Sequence, residues 1–530
     1  MLMKRKILAL LAVQSAAISA FAAAQTTTTD ISQTYQTLEH FGASDAWSAP
    51  FIGRWSDAER ARAAKFLFAR SFDASGNPEG IGLSIWRVNL GAGTLEQGEA
   101  SKIKWAQRRA ESFVGKDGKL DFSKCEGHRF FMEKAREYGC NNFILFSNSP
   151  LVQMTKNGLG FCDNGASSSN LRDDKYQAFA DYLADVAKHF SDRGYNIYSV
   201  SPVNEPQVPW VEFRNQEGSL WNNSEIKRLV ECLDKSLAAR GLGAQISIAE
   251  SGRMNWLVDS EEGIQFRKAN GAAVADPADA AGTQLETFFS PSSKYYVGDI
   301  PRVSKKFVTH GYTYDLTWED IVRVRKPLNA ITKRLGIGLQ MSEWVAVPSR
   351  MDKVDMLDGG NFGEIDIALM MARLIYADFT MTDITSWQYW KALEMFNEGG
   401  RALVEGYKIN DGTVEGGGVV RPTKILWGLG NYSLFIRPNF ARVKIDGANE
   451  PFGVMATAWI SPDKKRIVQV YVNLAKEART IKPEFKQEIK PSKVAAFRTD
   501  SAADLANLHI SNADSVVLAP RSITTLVLDL

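Results

Sequence analysis

The chain has 530 residues, of which 45% are hydrophobic and 23% are charged. This is the composition of an ordinary globular protein, and the length suits one large domain with a smaller one beside it. Lysine plus arginine (63) nearly balance aspartate plus glutamate (61). The net charge of +2 therefore indicates neither a nucleic-acid partner nor an anionic membrane surface.

The N-terminus has the pattern of a secretory signal peptide. A basic segment at 4–6 precedes an uncharged stretch from 7 to 21 and three alanines at 22–24, the usual order of such signals. We expect residues 1–24 to be removed, a mature start at Gln25 and a secreted or periplasmic location. No stretch reaches the roughly 18 uninterrupted apolar residues of a spanning helix, so no membrane span is expected.

The cysteines do not define a site. Four are present, and in an oxidising compartment they allow three full pairings. Small buried thiols are an equally good interpretation, and we predict no particular pairing. None has the spacing of a metal-ligand motif and the chain has only five histidines, so no metal site is predicted. The four are Cys125, Cys140, Cys162 and Cys232.

Short apolar runs alternate with helical patterns from residue 39 to about 435, which is typical of a parallel α/β architecture. Ser56 and Glu59 have the spacing of a capping box before a helix over 56–70, and further helices are predicted over 129–138, 175–190 and 224–240. Eight runs of this kind predict a (β/α)8 barrel, or TIM barrel. The predicted strands are 40–47, 83–89, 143–148, 197–206, 246–250, 307–312, 338–344 and 384–390.

The pattern changes after residue 435. Short strands over 454–460, 466–472, 493–497 and 524–528, separated by turn signals, predict an antiparallel β-sandwich over 436–530. Residues 25–38 are rich in Thr and Gln and are expected to lend a strand to this module, because chain termini often lie close together. The predicted barrel thus covers residues 39–435.

Two carboxylates follow strands on opposite sides of the predicted barrel. Glu205 ends the fourth strand and Glu343 the seventh, and reactive groups of such barrels lie at the carboxyl ends of strands. Cleavage of a glycosidic bond needs one protonated and one ionised carboxyl group facing each other. We assign Glu205 as acid/base and Glu343 as nucleophile, with retention of anomeric configuration.

Other strand ends supply candidate substrate-binding groups. Arg87 is placed to keep Glu343 ionised, with a structural ion pair as an equal alternative. Tyr312 is placed to donate a hydrogen bond to the nucleophile, while a lone His310 is more often structural. Glu250 is the main competitor for a catalytic role, but it lacks a preceding Asn and is left as a possible substrate contact. The remaining candidates are Asp45, Trp47 and Asn148.

Five motifs together resemble glycoside hydrolase family 30. They are FGASDAW at 41–47, RVNLG at 87–91, SNSP at 147–150, SPVNEP at 201–206 and SEW at 342–344. The resemblance extends over about residues 38–530. It implies a retaining (β/α)8 glycosidase in which Glu205 is the acid/base, Glu343 the nucleophile and Asn204 the group that holds the sugar 2-hydroxyl. It also implies a Trp beneath the sugar next to the scissile bond, for which Trp387 is chosen over Trp390, with packing in the core as the alternative for Trp387.

The resemblance further implies a substrate class. Trp210 and the loop 216–221 resemble the branch with endo-β-1,6-galactanases, which act on arabinogalactan side chains. The alternatives are xylan or glucuronoxylan and β-1,6-glucan. For glucuronoxylan, Arg214 is a candidate for binding an acidic branch. A non-catalytic glycan-binding protein on the same scaffold is the alternative from another class. We expect a monomer that acts on a polysaccharide or oligosaccharide and needs no cofactor.

Overall fold

The computed structural model describes residues 24–280, 282–357, 359, 362–395, 401–407, 409–410, 412–413 and 415–530. The predicted signal peptide lies outside the described residues, except for Ala24. Among the described helices, none combines the length and the apolar character that crossing a membrane requires. The first strand, β1 (Gln25–Thr37), precedes the large domain.

Eight parallel strands close a barrel, in which the first strand pairs with the last. The predicted (β/α)8 architecture is confirmed, with all eight predicted strands in their predicted order. Their sequences are mostly continuous apolar runs because both faces of a parallel strand are buried. The strands are β2 (His40–Ser44), β3 (Ile85–Asn89), β4 (Phe143–Phe146), β5 (Ile197–Ser201), β6 (Gln245–Ser251), β7 (Val303–His310), β8 (Gly338–Glu343) and β9 (Ser386–Tyr389).

Helices alternate with these strands. The predicted capping box before the second helix is absent. Ser56 makes no capping side-chain bond, and the Glu59 carboxylate instead accepts the backbone N–H of Val420 at 2.7 Å. A capping box is formed by Asn222 and Glu225. The helices are α1 (Ala49–Ile52), α2 (Asp57–Phe68), α3 (Thr94–Gln97), α4 (Glu126–Glu137), α5 (Tyr176–Ser191), α6 (Asn223–Ala239), α7 (Glu261–Ala269), α8 (Gln284–Phe289), α9 (Trp318–Arg325), α10 (Leu328–Leu335), α11 (Glu364–Met381) and α12 (Lys424–Ser433).

Two sheets accompany the barrel. A small one after β9 consists of β10 (Leu393–Glu394), β11 (Val404–Tyr407) and β12 (Val419–Pro422). The C-terminal sheet has nine strands, of which β1 is the first along the chain. The others are β13 (Ala441–Asp446), β14 (Val454–Ile460), β15 (Arg466–Asn473), β16 (Arg479–Phe485), β17 (Lys493–Thr499), β18 (Ala506–Asn507), β19 (Val516–Leu518) and β20 (Ser522–Asp529). Their order in the sheet is β18-β17-β20-β15-β14-β13-β1-β16-β19.

The C-terminal sheet folds over to enclose a core of its own. Ile481 of β16 and Leu518 of β19 pack with Ala456, Tyr471 and Leu526 of the central strands, as in a β-sandwich. Strand β1 pairs antiparallel with β13 and parallel with β16. The predicted antiparallel β-module is thus present, and β1 supplies one of its strands.

The C-terminal sheet also packs against the barrel helices. Phe379 of α11 meets Trp459 of β14 edge to face, with ring centroids 4.9 Å apart. The side-chain amide of Asn431 in α12 donates to the backbone carbonyl of Phe497 at 3.2 Å. The two parts therefore share a packed interface. The four cysteines, all within the described residues, are free thiols.

Candidate active site

Glu205 and Glu343 lie at the carboxyl ends of barrel strands. Glu343 is the last residue of β8, and Glu205 follows β5 on the far side of the barrel mouth. Glu205 has a left-handed backbone with φ of 43°, and Glu250 in β6 has φ of 54°. Their backbones are joined, since the Glu205 N–H donates to the Glu250 carbonyl at 2.9 Å. Such sparsely populated conformations of non-glycine residues cluster at functional sites.

Both oxygens of Glu343 receive hydrogen bonds. The Tyr312 hydroxyl donates to Oε1 at 2.9 Å, and Nη1 of Arg87 donates to Oε2 at 3.1 Å. Donors favour the ionised carboxylate. Burial raises the pKa of Glu343 and the nearby Glu205 adds to this, while the charges of His310 and Arg87 act in the opposite direction.

His310 connects three carboxylates. Its Nδ1 lies 2.9 Å from Oε1 of Glu205, and its Nε2 lies 3.1 Å from Oε2 of Glu250 and 3.6 Å from Oε2 of Glu343. Burial alone favours the neutral ring, but the facing carboxylates outweigh it and raise the pKa of His310 to about 10. The ring is therefore a cation at neutral pH and donates from both nitrogens.

Glu250 is the buried counter-charge of the site. Its carboxylate accepts hydrogen bonds from the Ser201 hydroxyl at 2.8 Å and from the Ser342 hydroxyl, and Nη2 of Arg87 lies 3.5 Å away. Burial alone raises the pKa of Glu250, but Arg87 and His310 outweigh it and lower the pKa to about 2. Glu250 is therefore an ionised structural partner, although the sequence left it as a substrate contact.

These charges determine how many protons the site retains. Arg87 and His310 supply two positive charges, and Glu250 supplies one permanent negative charge. Ionisation of both Glu205 and Glu343 would leave a net negative charge in a buried space, which is unfavourable. The charge balance of the cluster therefore favours one proton on this pair of carboxyl groups. This matches the chemical need for one acid and one ionised carboxylate.

A cavity of about 230 Å³ opens between the two glutamates. The predicted residues Asn148, Asn204 and Tyr312 line it together with Glu205 and Glu343. The Asn204 carbonyl oxygen accepts a hydrogen bond from Nη2 of Arg87 at 3.0 Å, which leaves the amide NH2 group for a ligand. The other lining residues are Trp210, Gln216, Val345, Val347 and Trp390.

Two residues predicted to contact the substrate, Asp45 and Trp387, instead bind other groups of the protein. Asp45 is fully buried, and its carboxylate accepts the Asn89 N–H at 2.8 Å and bonds His128 Nδ1 at 2.5 Å. Trp387 is 0% exposed and donates its indole N–H to Asp378 of α11 at 2.8 Å. Neither lines the cavity, because each side chain points into the surrounding protein.

Trp390 takes the position expected of Trp387. It lines the cavity and packs edge to face on Trp47, with ring centroids 6.1 Å apart. Arg87 lies beneath it, with its guanidinium carbon 5.8 Å from the Trp390 ring and 3.7 Å from that of Phe146. The predicted Trp47 and Arg87 thus support the cavity floor.

Sequence reasoning missed two valines and one serine of the site. Val345 and Val347 follow the nucleophile strand and line the cavity, and the Ser342 hydroxyl bonds Glu250. Ser342 was visible only as part of the SEW motif, because a hydroxyl beside a glutamate carries no distinctive signal. Gln216 and Trp210, singled out on the loop after the fourth strand, both line the cavity.

Glu205, His310 and Glu343 are the described groups that come closest to a metal-binding arrangement, with one candidate ligand atom from each lying within 4.8 Å of the others. A histidine must be neutral to ligate a metal. The three carboxylates around His310 hold its proton up to a pKa of about 10. The set therefore fits an acid/base centre better than a metal centre.

Comparisons with known proteins agree with this geometry. A model of O-glycosyl hydrolase family 30 matches residues 24–404. An endo-beta-1,6-galactanase of Hypocrea rufa is 26% identical over 387 residues, which cover 70% of this chain and 67% of that protein. A conserved exported protein from Bacteroides fragilis is 28% identical, with a TM-score of 0.85 over 95% of this chain and all of the other.

A third relative shares the fold. The catalytic domain of xylanase C from Talaromyces cellulolyticus, itself a member of family 30, has a TM-score of 0.63 at 19% identity, over 96% of this chain and all of that domain. The family match covers more than half of the chain and includes every barrel strand. The chain therefore belongs to O-glycosyl hydrolase family 30 and is a glycosidase that acts on carbohydrate.

Proposed function

We propose that this enzyme is a secreted endo-β-1,6-galactanase that cleaves arabinogalactan side chains with retention, using Glu205 as acid/base and Glu343 as nucleophile. One observation carries the mechanism: oxygens of the two carboxylates lie within 4.8 Å of each other. Retaining enzymes hold their carboxyl groups about 5–5.5 Å apart, whereas inverting enzymes need about 6.5–9.5 Å for a water molecule.

The hydrogen bonds support the choice of nucleophile. Arg87 and Tyr312 donate to the two oxygens of Glu343, so protonation of this carboxyl group would displace a donor. Among the described residues, the Glu205 carboxylate receives one hydrogen bond, from His310. Glu205 is therefore the member of the pair that holds the shared proton once a sugar fills the cavity.

The reaction then proceeds in two balanced steps. An oxygen of Glu343 forms a bond to the anomeric carbon while the glycosidic C–O bond breaks, and the Glu205 proton moves to the leaving oxygen. Glu205 next takes a proton from water, and the water oxygen attacks the anomeric carbon and releases Glu343. The amide NH2 of Asn204, oriented by Arg87, is placed for the sugar 2-hydroxyl. None of these steps requires a metal or an organic cofactor.

Two findings support the choice of substrate. The galactanase from Hypocrea rufa is similar to this chain over most of its length. Trp210 and Gln216, on the loop whose sequence resembles that of the galactanase branch, line the cavity. Arg214, the candidate for gripping an acidic xylan branch, donates to Asn270 at 2.9 Å. The exported Bacteroides fragilis protein and the predicted signal peptide support secretion.

The test is digestion of β-1,6-galactan, glucuronoxylan and β-1,6-glucan, with products resolved by chromatography. Glu343→Gln is the inactive variant, and Glu133→Gln, the same change at an exposed position of α4, is the control. We expect oligosaccharides from galactan with the wild type and the control but not with Glu343→Gln. Cleavage of another polymer alone would refute the galactanase assignment, and activity of Glu343→Gln would refute the nucleophile.

Proton NMR of the first products tests the stereochemistry. We expect the β-anomer to form first and to mutarotate later, because two displacements restore the original configuration. Initial release of the α-anomer would overturn the retaining mechanism. Binding of a polymer without cleavage of any would favour the non-catalytic glycan-binding alternative.

A further inference from the structure

Two exposed aromatic side chains lie on neighbouring loops at the barrel mouth. Trp105 belongs to the loop after β3 and is 49% exposed, and Phe213 belongs to the loop after β5 and is 67% exposed. Exposed apolar surface beside a cavity is typical of binding surfaces. We call the two segments that carry them, residues 104–108 and 212–216, the aromatic rim.

The aromatic rim is continuous with the catalytic cavity. The backbone N–H of Lys104 donates to the side-chain oxygen of Asn215 at 2.6 Å, which joins the two loops. The Arg108 guanidinium donates to the side-chain oxygen of Gln216 at 2.8 Å, and Gln216 itself lines the cavity. Trp105 is therefore separated from the cavity by two side chains.

An arginine supports each ring of the rim. The guanidinium carbon of Arg108 lies 4.9 Å from the centre of the Trp105 ring, and that of Arg214 lies 4.9 Å from the centre of the Phe213 ring. Cation–π contacts of this kind hold an exposed ring in a fixed orientation. Each ring is covered from one side by a cation and keeps much of its remaining apolar surface open to solvent.

Buried contacts beneath the rim fix the relative position of the two loops. Glu217, next to Gln216, is fully buried and accepts the Thr94 hydroxyl at 2.6 Å and the Ala92 N–H at 3.0 Å. Ala92 lies on the loop after β3, and Thr94 begins the short helix α3 that follows. The hydrogen bonds of three consecutive side chains, Asn215, Gln216 and Glu217, therefore hold the rim before any ligand arrives, which lowers the entropic cost of binding.

The small size of the cavity limits how much of a polysaccharide it can enclose. A volume of about 230 Å³ is below the roughly 300–1,000 Å³ of pockets that enclose a whole ligand, so a polysaccharide has to continue outside it. We propose that the aromatic rim is a distal sugar-binding subsite, where pyranose rings of the glycan stack on Trp105 and Phe213. The inference rests on the proposed function only in taking a polysaccharide as the substrate.

The test compares substrates of different length. Trp105→Ala should lower kcat/KM on a hexasaccharide about 3- to 10-fold more than on a disaccharide of the same linkage, which is the size expected for loss of one stacked ring. Trp105→Phe keeps a flat ring and should therefore recover most of the kcat/KM that Trp105→Ala loses on the hexasaccharide. Phe452→Ala is the matched control, because Phe452 is 52% exposed on the C-terminal module. Equal losses on both lengths would overturn the subsite.

This design separates the subsite from the galactanase assignment. The oligosaccharides are taken from whichever of the three polymers the enzyme cleaves, so cleavage of xylan would refute the galactanase and still test the rim. If none is cleaved, Glu343→Gln is compared with its Trp105→Ala derivative by affinity gel electrophoresis in the same polymers. Weaker retardation of the derivative supports the subsite, and equal or no retardation overturns it.

Discussion

Glu217 is a buried acid between two loops, and no described residue forms an ion pair with it. Its replacement by glutamine gives a quantitative test of the structure. Its oxygens accept hydrogen bonds from the Thr94 hydroxyl at 2.6 Å and from the Ala92 N–H at 3.0 Å. Burial raises the pKa of Glu217 from 4.5 to about 8, although these donors oppose the shift. Glutamine has the shape of the neutral acid and cannot ionise.

The sign of the effect follows from the direction of the pKa shift. Because the folded-state pKa lies above the unfolded-state value, the folded protein loses stability as the pH rises from about 4.5 to about 8, and the loss is complete above that. One pKa unit corresponds to about 1.4 kcal/mol. Between pH 5 and pH 8, the free energy of unfolding of Glu217→Gln should therefore rise by about 3 kcal/mol relative to that of the wild type.

Urea unfolding followed by tryptophan fluorescence at pH 5, 6.5 and 8 measures this difference. Glu212→Gln, an exposed position on the same loop, is the control and should show a difference from the wild type that does not change with pH. A difference between wild type and Glu217→Gln that is constant from pH 5 to pH 8 would refute the burial of an uncharged acid at this position.

Three further predictions concern the site. Tyr312→Phe removes a hydrogen bond to Glu343, so kcat should fall about 10-fold or more and the acidic limb of the kcat profile should move to higher pH. Arg87→Met leaves buried carboxylates without their cation, and urea unfolding should show a loss of about 3–5 kcal/mol. His310 has its pKa raised to about 10, so its charge stabilises the folded state fully below about pH 6.5 and no longer does above about pH 10. The deficit of His310→Gln in unfolding free energy should therefore shrink between pH 7 and pH 10; a constant deficit would contradict the cationic ring.

Sequence patterns predicted the barrel because its strands are buried on both faces. Runs such as that of β4, in which all four residues are buried, are hard to accommodate elsewhere in a globular chain. Glu205 and Glu343 were predicted for a related reason, since the reactive groups of such barrels come from the carboxyl ends of apolar strands. The local pattern therefore contained enough information for both glutamates to be found.

Side-chain directions depended on contacts that the sequence does not show. Trp387 and Trp390 both lie in the eighth run of apolar residues, and only the folded chain shows that Trp387 reaches Asp378 on α11 instead of the cavity. Asp45 ends a strand like a catalytic acid, but His128 of α4 meets it in the folded chain. The predicted capping box failed for the same reason, because Glu59 binds the backbone N–H of Val420, a residue far along the chain.

The pairing of β1 has a consequence for synthesis of the chain on the ribosome. β1 precedes the barrel, yet its partners β13 and β16 follow it, so the barrel strands emerge and can pair while β1 is still an open edge. Unpaired strand edges are templates for aggregation, and domains generally fold as they emerge. The threonine-rich β1 carries few large apolar side chains. This composition keeps the unpaired strand soluble until the C-terminal strands have been synthesised.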